Sequence, residues 1–164
     1  MLADIEAIRQ VVLRYCRGID RLDLELVRSC YHPDATDVHG RFSGTVDEYL
    51  TWVARVLARY DTTTHLLANH LVEVDGDVAR SEAYGIARHR AADPDPTRNL
   101  TVGFRFVDRF ECRDGDWRIA RRVATTEWVE QALPAQHWPI PEGMATGQRD
   151  RSDPLYAIAP EIAD

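Results

Sequence analysis

The sequence lacks any run of apolar residues that is long enough to span a membrane. Its first six residues already include two acids, and no apolar signal-peptide core follows them. We therefore expect a cytoplasmic protein without membrane contact. Acidic residues outnumber lysine and arginine, and the net charge is −7. Phosphate binding needs clustered basic side chains. This charge argues against a nucleic-acid partner.

Cysteine is scarce, with only Cys16, Cys30 and Cys112, an odd number without the spacing of zinc ligands. Reduced thiols in a core are the expected state. A glycine-rich phosphate loop and a G-x-S-x-G motif are both absent. His65 and His70 are predicted on opposite faces of one strand, which disfavours a metal pair. We expect neither a metal nor another cofactor.

The length of 164 residues suits one domain with one buried core, and its N-terminal part predicts three helices. The first begins with Asp4 as N-cap and ends near Asp20. A short second helix is capped by Asp23 and stopped by Pro33. The third begins at the capping box Thr45-Val46-Asp47-Glu48. Apolar stripes at helical spacing support the first and third of these helices.

An alternating pattern then replaces the helical one and predicts four strands, over residues 63–74, 78–90, 99–112 and 117–130. Glycine-containing turns separate the first from the second and the third from the fourth. Helices followed by hairpin-linked strands indicate an antiparallel sheet with helices on one side, the α+β class. The Pro- and Gly-rich segment 133–164 is predicted to be an arm after a domain of residues 1–132.

Alternation along the strands predicts which side chains share a face. His65, Leu67, Asn69 and Leu71 form one row, and a row of small residues from Ala79 to Ala87 ends at His89. The third strand groups Val102, Phe104, Phe106 and Phe110. The fourth groups Trp117, Ile119, Arg121, Val123 and Thr125. Arg121 is the odd member of an apolar face, and a buried arginine needs an anion.

Asp20 at a helix end and His65 in a strand are the residues that most suggest chemistry. A carboxylate that holds a histidine makes a general base, because it fixes the imidazole tautomer and stabilises the imidazolium. Each residue alone has an ordinary structural explanation, as a cap or as a hydrogen-bonded strand residue. The hypothesis therefore depends on whether the two meet.

The chain resembles the SnoaL-like group of the NTF2-like superfamily over roughly residues 3 to 130. The resemblance rests on four segments: Arg14-Tyr15-Cys16-Arg17-Gly18-Ile19-Asp20-Arg21-Leu22-Asp23, Tyr31-His32-Pro33-Asp34-Ala35, Thr64-His65 and Arg113-Asp114-Gly115-Asp116-Trp117-Arg118-Ile119. Within the group it is most similar to the branch of scytalone dehydratase, bile-acid 7α-dehydratase and hexachlorocyclohexane dehydrochlorinase. The resemblance implies a cone of helices inside a curved sheet, with an apolar pocket.

The resemblance also implies site residues. Asp20 and His65 match the Asp-His pair of those enzymes, Tyr15 matches a tyrosine of the bile-acid enzyme, and His89 matches a second histidine of scytalone dehydratase. That enzyme has a tyrosine near the place of His39. An asparagine expected in the third strand is replaced near Phe106, so scytalone is not the expected substrate. The predicted substrate-binding residues are His39, Trp52, Leu67, Asn69, Phe104, Phe106 and Arg121.

The predicted function is a cofactor-independent dehydratase, or a related cyclase or isomerase, that acts on a small hydrophobic ring compound. His65 would remove a proton, Asp20 would support it, and Tyr15 or His89 would donate to the substrate oxygen. A homo-oligomer, dimer or trimer, is the expected assembly. The alternatives are a non-catalytic ligand-binding or assembly module and an isomerase of the ketosteroid type with Asp108 as base. An Asp20–His65 contact at an enclosed pocket would favour the enzyme.

Overall fold

A computed structural model describes residues 1–91, 99–131 and 140–158, except for the side chains at positions 155 and 158. These residues form four helices and six strands. The helices are α1 (Leu2–Arg21), α2 (Leu24–Ser29), α3 (Val46–Leu57) and α4 (Pro154–Ile158). The strands are β1 (Tyr31–His39), β2 (Phe42–Thr45), β3 (Tyr60–Asp75), β4 (Val78–Ala91), β5 (Leu100–Arg113) and β6 (Asp116–Gln131). Within the described ranges, no helix is both long and apolar enough to cross a membrane.

The six strands form one curved sheet in the order β2-β1-β6-β5-β4-β3. Strands β1 and β6 are parallel, and all other neighbours are antiparallel. Side chains from α1, α2, α3 and the inner sheet face share one buried core. The predicted α+β class and cone-like architecture are confirmed.

Helix α1 begins three residues earlier than the sequence pattern predicts. Met1 is the N-cap, and Asp4 lies in the first turn, where a carboxylate favours the positive end of the helix dipole. The helix ends at Leu22, which takes a left-handed conformation with φ 56°. Gly18 allows α2 to approach, because a Cβ atom there would lie 2.7 Å from Cγ2 of Val27. The turn between α1 and α2 therefore brings Asp20 to the edge of the core.

The capping box predicted for α3 is present, with Thr45 and Glu48 bonded reciprocally. Strands β1 and β2 were not predicted. Strand β1 begins at Tyr31, directly after the short α2, and includes Pro33. Its pairing with β6 is irregular between Tyr31 and Thr36, so Pro33 lies where no ladder hydrogen bond is required of it.

Two β-bulges change the predicted faces. The pairing of β3 with β4 shifts between Leu67 and His70, so Asn69 and Leu71 are exposed, whereas His70 turns inward and contacts Oγ of Ser81 at 2.7 Å. The predicted face of His70 and that of Asn69 are therefore wrong. A bulge adds one residue and inverts the alternation that follows it.

The second bulge lies in β6, opposite Arg109 and Phe110 of β5. It leaves Arg121 exposed and turns Arg122 into the core, where the side chain is 0% exposed. Arg122 donates to both carboxylate oxygens of Asp108, from Nε at 2.8 Å and from Nη2 at 2.6 Å. The buried arginine with a protein anion is thus one position later than predicted.

The segment 140–158 contacts the body of the domain. Arg149 donates to the backbone carbonyls of Leu57 and Tyr60, and Nε of Arg21 lies 3.4 Å from Oδ2 of Asp153. The predicted boundary between residues 132 and 133 lies outside the described residues.

Replacement of Arg122 by Met should lower the free energy of unfolding by about 3–5 kcal/mol, because Asp108 would remain buried without its cation. Urea denaturation followed by circular dichroism measures this loss. The matched control is Arg113→Met, since Arg113 pairs with Asp34 at the surface and its loss should barely move the midpoint. Equal midpoints for the two variants would contradict a structural role for the buried pair.

Candidate active site

A cavity of about 420 Å³ lies between α1, α3 and the inner face of the sheet. Apolar and aromatic side chains form most of its wall, and three histidines interrupt them. The lining residues that matter below are Tyr15, His39, Tyr49, Trp52, Tyr60, His65, His89, Phe104 and Phe106. A cavity of this size and character is typical of a site for a small apolar ligand.

The side chains of Asp20 and His65 form a hydrogen-bonded pair at the wall of this cavity. Nδ1 of His65 lies 2.7 Å from Oδ1 of Asp20, and the backbone N–H of His65 donates to Oδ2 at 2.9 Å. A carboxylate only accepts hydrogen bonds, so Nδ1 carries a proton, and in the neutral ring Nε2 holds the lone pair. The side chain of His65 is 9% exposed, and that of Asp20 is 15% exposed. The arrangement gives His65 the geometry of a general base.

Tyr15 also lines the cavity, and its hydroxyl is hydrogen-bonded to that of Tyr49. The guanidinium of Arg122 lies 4.1 Å from the Tyr15 ring centre and 4.0 Å from that of Phe106. Burial raises the pKa of both tyrosine hydroxyls above the ordinary value. The pair therefore remains protonated and can donate one hydrogen bond towards a ligand.

His89 lies beside His65, with ring centres 6.0 Å apart, and its ring is 5.0 Å from that of Tyr60. Burial, and after it the repulsion that His65 exerts when protonated, lowers the pKa of His89 to about 4. The imidazole is neutral at physiological pH. It can donate from one ring N–H but cannot act there as a cationic acid.

His39 is the last residue of β1 and stacks on Tyr49, with ring centres 5.4 Å apart. Its Nδ1 lies 3.4 Å from Oδ1 of Asp37, a fully buried carboxylate. The Tyr31 hydroxyl donates to the other oxygen of Asp37 at 2.6 Å. The cavity wall therefore contains a second histidine with an aspartate behind it.

The row of small residues on β4 makes room for the aromatic floor. A Cβ atom at Gly85 would lie 2.4 Å from Cζ of Phe104, so only glycine permits that ring position. The Phe104 and Phe106 rings are neighbours at 4.5 Å and form part of the wall without filling the cavity. Trp52, another lining residue, stacks on Phe42 with ring centres 5.4 Å apart.

The structure brings together most of the residues predicted for the site. Tyr15, His39, Trp52, His65, His89, Phe104 and Phe106 line the cavity, and Asp20 lies behind His65. Leu67 packs against the core without lining the cavity. Asn69 and Arg121 are exposed and lie outside it, because each follows a bulge that the alternating pattern does not reveal.

Sequence reasoning missed Asp37, Tyr49 and Arg122 as parts of the site. Tyr49 is one of the buried residues of α3, and Asp37 lies in a strand that was not predicted. Asp108, considered as an isomerase base, is held by Arg122 and does not line the cavity. The adjacent residues Arg121 and Arg122 were the available sign of a buried arginine in the sequence. Only the pairing of β6 with β5 decides which of the two faces the core.

Within the described ranges, no three His, Cys, Asp or Glu side chains are grouped so that they could hold a metal ion. All twenty basic residues of the chain are arginines, so no lysine amine is available for a Schiff base. Cys16 and Cys30 are buried, and burial raises the pKa of the Cys16 thiol to about 12. The polar chemistry of this cavity therefore rests on imidazoles, carboxylates and tyrosine hydroxyls.

The chain belongs to the SnoaL-like domain family, whose model matches residues 1–123. An uncharacterized protein of Mycobacterium tuberculosis is 29% identical over 127 residues, which cover 76% of this chain and 86% of that protein.

Two solved structures share the fold at low sequence identity. One, from Novosphingobium aromaticivorans and provisionally named a scytalone dehydratase, is 20% identical with a TM-score of 0.72, and the match covers 88% of this chain and 97% of that one. The other is a hexachlorocyclohexane dehydrochlorinase from Novosphingobium barchaimii, 19% identical with a TM-score of 0.74, and the match covers 85% and 97%.

The lowered pKa of His89 predicts a pH dependence of stability. Between its unfolded value of 6.5 and its folded value of about 4, the unfolded chain binds a proton that the folded chain does not. The free energy of unfolding should therefore fall as the pH is lowered through this window. Urea denaturation at pH 7 and pH 5 should show a smaller fall for His89→Gln than for the unmodified chain. An unchanged fall would mean that His89 titrates normally in the folded state.

Proposed function

We propose that this chain is a cofactor-independent lyase of the dehydratase type that acts on a small hydrophobic ring compound. One observation carries the proposal: Nδ1 of His65 is bonded to Asp20 at 2.7 Å while the ring lines a cavity of about 420 Å³. This geometry gives an uncharged substrate access to an oriented base. An imidazole is suited to proton transfer near neutral pH.

In the proposed reaction, Nε2 of His65 removes a proton from a carbon next to a carbonyl group. Asp20 stabilises the imidazolium that forms, and the hydrogen bond to the backbone of His65 keeps the carboxylate in place. The hydroxyls of Tyr15 and Tyr49 and the N–H of His89 are the donors available for the carbonyl oxygen. In a dry cavity, such a donor contributes about 2.7–4 kcal/mol to transition-state stabilisation.

The comparisons support a lyase more than another class of enzyme. The fold is shared with a dehydrochlorinase and with a protein provisionally named a scytalone dehydratase. Both names describe the loss of a small group from a carbon skeleton. The aromatic side chains of Phe104, Phe106 and Trp52 in the cavity wall suit an apolar ring substrate.

Two bicyclic ketones test the proposal. The unmodified chain should exchange the C2 protons of 1-tetralone with D2O, and it should dehydrate 3-hydroxy-1-tetralone to 1-naphthol. His65→Gln and Asp20→Asn should each lower both rates by about two to four orders of magnitude, the usual contribution of a general base. NMR measures the exchange, and absorbance follows the naphthol.

His32→Gln is the matched control, because His32 is a buried histidine that contacts the carbonyl of Glu111 and does not line the cavity. Circular dichroism verifies that every variant is folded. Quenching of tryptophan fluorescence reports binding of the ketones to the cavity beside Trp52. Binding by the unmodified chain without exchange or dehydration would favour the alternative, a ligand-binding module.

A further inference from the structure

The cavity contains a second aspartate–histidine pair, Asp37 and His39, that the proposed reaction leaves without a role. We propose that His39 is the acid that protonates the departing hydroxyl of the substrate, and that Asp37 is its positioning residue. This inference rests on the proposed function, because it assigns the second proton transfer of the same elimination. It follows from how the two pairs differ in burial and in hydrogen bonding.

Asp37 has no exposed surface and little hydrogen bonding for a carboxylate. The Tyr31 hydroxyl donates to Oδ2 at 2.6 Å. In the described part of the chain, neither Oδ1 nor Nδ1 of His39 has a hydrogen-bond partner, although the two atoms lie 3.4 Å apart. A buried carboxylate that lacks a partner is costly unless a positive charge or a proton compensates it.

The charges of the buried cluster indicate where that compensation comes from. Arg122 and Asp108 neutralise one another through two hydrogen bonds, so this pair has no net charge. Asp37 adds one negative charge to the same interior. His39 is the basic group beside it, so a positive charge on its imidazole would make the cluster neutral. We therefore assign the proton of the proposed acid step to this pair.

The Asp20–His65 pair differs in both respects. Asp20 accepts two N–H hydrogen bonds from His65, and its side chain is 15% exposed, whereas Asp37 accepts one hydrogen bond and has no exposed surface. The proposal therefore assigns the base to the hydrogen-bonded pair and the acid to the buried one. Environments that separate two similar groups in this way are how one site contains both a base and an acid.

The two histidines lie along one aromatic floor. The His65 ring is 5.8 Å from Phe104, and the His39 ring is 6.2 Å from Phe106, while the two phenylalanine rings are 4.5 Å apart. A ring substrate on this floor can meet His65 with one edge and His39 with another. The inferred substrate class is therefore a cyclic ketone with a hydroxyl on the carbon next to the acidic one.

The elimination balances with these two groups alone. The C2–H bond breaks, its proton goes to Nε2 of His65, and its electron pair forms the C2–C3 double bond. The C3–O bond breaks, and the oxygen takes the electron pair of that bond and the proton from the Asp37–His39 pair and leaves as water. Proton exchange with solvent then restores both pairs.

The test separates proton removal from loss of the hydroxyl. His39→Gln should lower the dehydration of 3-hydroxy-1-tetralone by at least about 100-fold but C2 exchange of 1-tetralone, which has no leaving group, by less than about threefold. Asp37→Asn should act in the same direction. With 3-acetoxy-1-tetralone, whose acetate leaves without a proton, both variants should approach the unmodified rate of elimination.

His32→Gln, the same substitution at another histidine of β1, should leave all three rates unchanged. Equal losses of exchange and dehydration in His39→Gln would overturn the inference, because they would indicate a damaged site. Full dehydration by His39→Gln would also overturn it. Absence of exchange in the unmodified chain would instead count against the proposed function, so the two failures are distinguishable.

Discussion

A buried ion pair between Arg122 and Asp108 determines how the cavity is built. The guanidinium has no exposed surface and lies against the rings of Tyr15 and Phe106, one from α1 and one from β5. Its charge is satisfied on one side by Asp108 and on the other by ring faces, which attract cations. The pair therefore supports from behind both the tyrosine that lines the cavity and the floor on which a ligand would lie.

Local signals in the sequence were sufficient for much of the fold. The capping box fixed the start of α3, and the alternation in β4 placed every small residue on the inner face, because no bulge interrupts that strand. The contact between Asp20 and His65 was predicted because one lies at a helix end and the other in a strand, and the family resemblance connected the two positions. Periodicity alone did not predict this contact, because the hydrogen bond joins residues that are 45 positions apart in the sequence.

The remaining features depend on pairing, which a single sequence does not display. Asn69 and Arg121 were placed inside because alternation was continued through two bulges, and each bulge is defined only against the neighbouring strand. Strand β1 was missed because Pro33 and a short preceding helix resemble a loop. Because β1 was missed, Asp37 was not predicted as a site residue, and neither was the second aspartate–histidine pair. His39 itself was predicted as a substrate-binding residue.

The bond from the backbone of His65 to Asp20 has a consequence for self-association. Strand β3 is at the end of the sheet, where unpaired backbone groups can recruit a strand from another molecule. Asp20 occupies one such amide, and Arg9 of the same helix donates to the carbonyl of His70 at 3.2 Å. Helix α1 thus closes part of an open sheet edge with the same carboxylate that orients the base. Selection for catalysis and selection against aggregation would act here on one side chain.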